Sequence, residues 1–123
     1  ARAILSTMGQ EIFVTDEGYL DMATAVSGSG PAYFFLFVEC LTEAAVRIGL
    51  SEDKAQQLVL QTMLGSGQLL KKSGKSPEEL RRLVTSPGGT TAAALQQFEN
   101  GNFRELVYQA IAAAHRRAKE LGK

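Results

Sequence analysis

The sequence is short of the residues that carry metal and redox chemistry. It holds one cysteine, Cys40, and one histidine, His115. A lone thiol excludes an intrachain disulfide and a cysteine-built zinc cluster. A lone imidazole excludes a His-rich metal site, so no metal is expected. Charge of one sign is also lacking: 13 basic residues face 13 acidic ones, for a net charge of zero. That balance gives nucleic acid or an anionic membrane surface no long-range attraction. Long apolar runs are missing as well. The most apolar stretch, residues 31–38, covers eight positions and ends at Glu39, whereas a membrane helix needs about twenty. No signal peptide is visible at the N-terminus. The expectation is a cytoplasmic protein with neither nucleic acid nor membrane as partner.

What is present is ordinary globular material, 45% apolar and 21% charged, in a length that fits one domain, residues 1–123. A domain of this size buries roughly two-thirds of the surface its unfolded chain exposes. The chain begins abruptly. Ala1-Arg2-Ala3-Ile4-Leu5 reads as the end of a helix without a start signal, with residues 1–8 helical and Gly9 as the stop. The sequence therefore reads as a piece of a longer protein. Glu11-Ile12-Phe13-Val14 is a short β-prone run. Read as a strand, it needs a partner outside this chain or in a second copy; read otherwise, it is an extended connector.

The remainder reads as helices, giving an all-α class with about six of them. Residues 16–26 form the first, with Leu20, Met22 and Ala23 turned inward. Ser27-Gly28-Ser29-Gly30 interrupts it, and Pro31 suits the first position of the next helix, which runs to about Ile48 and closes at Gly49. Residues 32–38 are apolar on every side, and a helix of that kind is buried all round. One protomer of this size can hardly surround it, so a second copy is the natural cover. Ser51 caps a helix to about Lys72, carrying a stripe of Leu58, Val59, Thr62, Met63, Leu69 and Leu70. Gly65 and Gly67 weaken that helix but allow close helix approach, and Gly74 ends it. Ser76-Pro77-Glu78-Glu79 combines a cap, a proline at the first helical position and a glutamate at the third; its helix ends near Val84. Residues 92–99 are helical and stop at Asn100-Gly101. Asn102 caps the last helix, where Phe103, Leu106, Val107, Ala110, Ile111, Ala114, Ala118 and Leu121 recur at three- and four-residue spacing. Arg116, Arg117 and Lys119 complement the negative end of that helix.

Thr85-Ser86-Pro87-Gly88-Gly89-Thr90-Thr91 joins two helices and needs separate treatment. The first N–H groups of a helix lack internal partners and carry part of its positive dipole end. Two glycines before them let the backbone curl and a ligand approach. Ser86, Thr90 and Thr91 add hydroxyls, and together these suit a small carboxylate. The segment has no lysine, so it is not a nucleotide phosphate loop of the Walker type, and it has no acid or base. A tight turn with a threonine cap explains the same residues, and physics alone leaves both readings open. Ser27-Gly28-Ser29-Gly30 does not fit a dinucleotide fingerprint: no strand precedes it and the third glycine is missing. Tyr33 and Cys40 could be read as catalytic, but core packing fits both better.

The stretch from Leu83 through the turn to Ala92-Ala93-Ala94-Leu95 closely resembles the signature of pyrroline-5-carboxylate reductases. So does Ala25-Val26-Ser27-Gly28-Ser29-Gly30-Pro31-Ala32-Tyr33, and the resemblance covers essentially the whole chain. It implies the C-terminal half of an enzyme that reduces 1-pyrroline-5-carboxylate to proline, the last step of proline synthesis. It implies a preceding Rossmann domain that binds NADPH or NADH, absent here, so that this piece alone would be inactive. It further implies an interlocked homodimer, which family members often assemble into larger rings of dimers. Residues 1–14 then become the remnant of the connection to the Rossmann domain, with the run 11–14 as its last strand. Transferred residue by residue, the family's carboxylate contacts fall on Ser86 and on the backbone of Gly89 and Thr90, in a substrate-binding turn that includes Gly88. The family's threonine near the ring nitrogen falls on Thr91, the residue closest to a catalytic role. Two alternatives remain: the helical domain of another two-domain NAD(P)-dependent dehydrogenase, or a non-catalytic helical dimerisation module. A dehydrogenase acting on hydroxy acids would be expected to place a lysine at the reacting carbon, and nothing in the sequence puts Lys71, Lys72 or Lys75 at the turn.

Overall fold

Start and stop signals in the sequence account for most of the helices in the computed structural model, which describes residues 3–7, 10–14 and 17–122, with side chains from residue 18 onward. Strands β1 (Ala3–Thr7) and β2 (Gln10–Val14) are followed by α1 (Glu17–Ala23), a π-helical turn (Thr24–Gly28), α2 (Gly30–Arg47), α3 (Glu52–Lys72), α4 (Pro77–Leu83), α5 (Thr90–Asn100) and α6 (Phe103–Leu121). The chain forms two compact units. One contains residues 1–35 and 102–123, and the other residues 36–101.

In the first unit, β1 and β2 pair antiparallel with Ala3 opposite Val14 and Thr7 opposite Gln10. Two sequence expectations change here. Residues 3–7 are a strand, not a helix end, and the expected strand at 11–14 finds its partner within this chain. The physical reason is that Ala3, Ile4 and Leu5 suit either state, and an unpaired strand edge next to them decides between the two. Gly9, expected as a helix stop, lies outside the described residues, as does Asp16.

The expected interruption at residues 27–30 is a widening of the helix and not a break. Ser29 N–H bonds Thr24 O at 2.9 Å, a five-residue step, so a π turn links α1 to α2. The Tyr33 hydroxyl reaches back and donates to Ala25 O at 2.7 Å. Thr24 Oγ1 donates to Leu20 O at 2.8 Å. The π turn and α1 pack on α6, and Ala25 is buried there. Leu20 and Ala23 are half-buried as expected, but Met22 is exposed. Pro31 occupies the second residue of α2, where a missing N–H is still harmless.

In the second unit, the exit from α2 is a Schellman turn. Gly49, at φ 123°, donates to Val46 O, and Leu50 N–H donates to Ala45 O, which satisfies carbonyls the helix leaves open. The Ser51 side chain caps α3 by accepting from Lys54 N–H. Ser76 and Glu79 form the expected reciprocal box at the start of α4, with Pro77 in its first turn. The last start signal works differently from expectation. Asn102 precedes α6 but sits in the left-handed region, at φ 58° and ψ 42°, and makes no side-chain cap. Asparagine tolerates that conformation, which leaves room for only two residues between α5 and α6.

Neither unit has an interior of any depth. Among the described residues, the buried apolar side chains are Ala25 and Ala55. On α2, Phe34, Phe35 and Leu36 are each more than half exposed. On α3, Leu58, Leu60 and Leu64 are as well. Cys40 is exposed, not packed in a core as expected. A Cβ built on Gly65 or Gly67 would meet open space, so the close approach these glycines allow is not made among the described residues. No helix among the described residues is long and apolar enough to cross a membrane.

The Tyr33–Ala25 hydrogen bond gives a first prediction. Tyr33→Phe is expected to lower unfolding stability by about 1 kcal/mol, the usual net value of one such bond. A denaturant midpoint within error of the parent would show that the hydroxyl does not hold the π turn.

Candidate functional site

The turn at residues 85–91 is fixed on its upstream side by α4. Thr85 N–H donates to Arg82 O at 3.1 Å, and Thr85 Oγ1 donates to Arg81 O at 2.5 Å. The chain then reverses over four residues. Gly89 N–H bonds Ser86 O at 3.0 Å, with Pro87 and Gly88 in between and Gly88 at φ 74°. Proline followed by a glycine of positive φ is the composition of a type II turn. Gly88 is therefore required by conformation.

Gly89 is required by space. Its φ of −85° suits any residue, but a Cβ there would lie 2.6 Å from Ser86 Oγ and 3.2 Å from Ser86 O. The Ser86 hydroxyl thus sits against the Gly89 backbone, at the position that precedes α5. Gly89 occupies the N-cap position, and no side chain caps the helix. The threonine cap weighed from sequence is not what forms, because α5 starts at Thr90 and both threonines lie inside its first turn. The opening N–H groups of α5 are left without a side-chain acceptor, and the first turn holds no acidic residue that would compete with an anion. Ser86, Gly88 and Thr90 are exposed, whereas Gly89 and Thr91 are half-buried. Ser86, Gly88, Gly89, Thr90 and Thr91, neighbours in the sequence, all lie in this turn and the first turn of α5.

Tyr33 is engaged with Ala25 O. Lys71 and Lys72 close α3, and Lys75 follows in the loop. No group of metal-ligating side chains is found among the described residues. Ser27-Gly28-Ser29-Gly30 lies in the π turn and the start of α2, so no strand leads into it and it does not form a dinucleotide cradle. An open groove of about 700 Å³ between α2 and α3 is lined by Val38, Thr42, Val46 and Gln56 among others. Nothing in the sequence motifs pointed to it, and it contains none of the turn residues.

The fold is thus an all-α domain whose glycine turn leaves one helix N-terminus open beside a serine hydroxyl. The family model for pyrroline-5-carboxylate reductase dimerisation matches residues 17–121, and the chain belongs to that family. It is 48% identical over its full length to a pyrroline-5-carboxylate reductase of Pseudomonas aeruginosa, covering 45% of that protein. It is 42% identical over 98% of its length to pyrroline-5-carboxylate reductase 2 of Bacillus subtilis, covering 43% of it. Among solved structures, a pyrroline-5-carboxylate reductase from Coxiella burnetii matches 89% of the chain with a TM-score of 0.85 and 47% identity, over 41% of that chain. The Plasmodium falciparum pyrroline carboxylate reductase, solved with NADP bound, matches with a TM-score of 0.84 and 42% identity, over 89% of this chain and 42% of that one. The chain spans less than half the length of these relatives.

The two glycines differ in a way that can be measured. Gly88→Ala is expected to cost about 1–2 kcal/mol of stability, because an L-residue is forced into the left-handed region. In Gly89→Ala the backbone is unstrained, and the change is expected in the position of the Ser86 side chain, seen as shifted Ser86 and Thr90 amide resonances. Equal stability of Gly88→Ala and the parent would mean that the turn can relax to another form.

Proposed function

We propose that the protein containing this chain reduces 1-pyrroline-5-carboxylate to proline, and that this chain supplies its substrate-binding turn and its dimerisation surface. The observation that carries the reading is the uncapped N-terminus of α5 beside Ser86 Oγ, in a chain of the reductase dimerisation family. The setting proposed is the cytoplasm.

The substrate is a small ring with one carboxylate and one C=N bond. The carboxylate sits at the α5 N-terminus. It accepts from the Ser86 hydroxyl and from the backbone N–H groups of Gly89 and Thr90, with Gly88 shaping the approach. Charge-assisted hydrogen bonds of this kind contribute about 1.5–3 kcal/mol each. The Thr91 hydroxyl orients the ring nitrogen, which fixes the face that the imine carbon C2 presents. NADH or NADPH, held by another part of the protein, would supply the hydride to C2, with the C=N electron pair passing to nitrogen. No side chain of the turn is an acid or a base, which suits an iminium that is already protonated. The contribution of this chain is therefore placement of one reactant, an effect that can supply several kcal/mol of barrier lowering.

The same structure supports a homodimer. Large apolar side chains on α2 and α3 stand in water when one chain is taken alone, and contiguous exposed apolar surface marks an association site. An obligate homodimer resembles a core divided between two chains. A dimer, or a multiple of dimers as in a ring, is the expected assembly. Sedimentation at micromolar concentration is the check, and a monomeric mass would refute it.

In the intact protein, Ser86→Ala is expected to raise the KM for the imino acid about tenfold or more, from loss of one charge-assisted hydrogen bond. Thr91→Ala is expected to lower kcat more than it changes KM. The KM for the nicotinamide cofactor is expected to stay near the parent value in both. Unchanged kinetics in both variants would remove the site assignment.

A further inference from the structure

The strength of a helix-N-terminus site depends on where the helix body is held. Helix α5 has 11 residues and none of them is buried. Among the described residues no other element packs broadly on it. Its upstream end is held by the turn, through Gly89 N–H to Ser86 O and through Thr85 to α4. A turn fixes a point but not a direction, so a second point of contact is needed to fix the helix axis.

That second point is Phe98, in the last turn of α5. Its ring lies against Phe37 of α2 with centroids 6.2 Å apart and planes tilted by 53°. This is within the separation at which aromatic pairs attract beyond their buried area. Phe37 stands in the middle of an 18-residue helix, a stiff support. Phe98 lies eight residues beyond Thr90, which places the contact about 12 Å along the helix from its opening N–H groups. Over that lever, a tilt of about 5° moves the helix N-terminus by about 1 Å. A misplacement of that size can cost about a hundredfold in rate.

We infer that the Phe37–Phe98 contact is a positioning contact, which sets the direction of α5 and through it the placement of the substrate carboxylate. The inference rests on the carboxylate reading of the turn. Neither ring touches substrate in this account; both act through the helix that carries the N–H groups. Alanine at either position removes the ring pair and leaves the turn sequence untouched.

The test uses the intact reductase and compares Phe98→Ala, Phe37→Ala, their double variant and Phe98→Leu, each checked for parental assembly and helical content. Phe98→Ala is expected to raise the KM for the imino acid and the inhibition constant of proline by about tenfold, while the KM for the cofactor changes less than about twofold. The double variant is expected to be no worse than the more affected single variant, because the two rings act as one unit. Phe98→Leu is expected to recover most of the loss. If Phe98→Ala does not fold, Phe98→Leu and Phe37→Leu carry the test, with an expected rise of about threefold in the imino acid KM alone and the same non-additivity. An unchanged imino acid KM in folded variants overturns the inference. So does an equal loss for imino acid and cofactor, or fully additive effects. Ser86→Ala, run alongside, separates the two claims. If Ser86→Ala is impaired and the Phe98 variants are not, the positioning role fails; if Ser86→Ala is unimpaired, the carboxylate site fails.

Discussion

The exposure of apolar helix faces is the constraint on which the rest of this protein depends. Phe34, Phe35 and Leu36 on α2, and Leu58, Leu60 and Leu64 on α3, find no deep interior among the described residues to enter. Burying one such side chain fully is worth about 1.5–3 kcal/mol, and a native domain is stable by only about 5–15 kcal/mol. Half a dozen of them left a little more than half exposed is a deficit on the scale of that stability. In the proposed dimer a second copy of the chain removes it, and the open space at Gly65 and Gly67 is where another backbone could come close.

The candidate site is local by comparison. It consists of one turn and the first turn of one helix, and it needs nothing buried. Gly88 supplies a conformation, Gly89 supplies room for the Ser86 hydroxyl, and the absence of a capping side chain leaves the α5 N–H groups open. A helix end that lacks its own cap is a poor choice for stability, since a missing cap costs about 1 kcal/mol. Its retention at this point fits a role in which a ligand takes the place of the cap.

Much of this could be read from the chain. The Ser51 cap, the Ser76–Glu79 box and Gly49 at the end of α2 each act through neighbours a few residues away, so sequence alone locates them. Other features were beyond its reach. The strand at residues 3–7 is chosen by its pairing with residues 10–14, a contact that propensity does not encode. The π turn at 24–28 is selected by Tyr33, one helical turn and more away, and by packing on α6. Cys40 and Met22 read as core residues by type, yet both face solvent because a buried position depends on what lies opposite. The Asn102 cap failed for the reverse reason: the chain used the residue's tolerance of the left-handed region instead of its side-chain oxygen.

The sequence by itself determined the helical class, the end of α2 at Gly49, the starts of α3 and α4 and the composition of the turn at 85–91, because capping, turn formation and hydrophobic periodicity are short-range effects. Tertiary structure decided how those pieces are used. It set Phe98 on Phe37 and kept the apolar faces of α2 and α3 open in the single chain. Those outcomes depend on distances between residues far apart in the chain, and such distances are fixed only once the helices have packed.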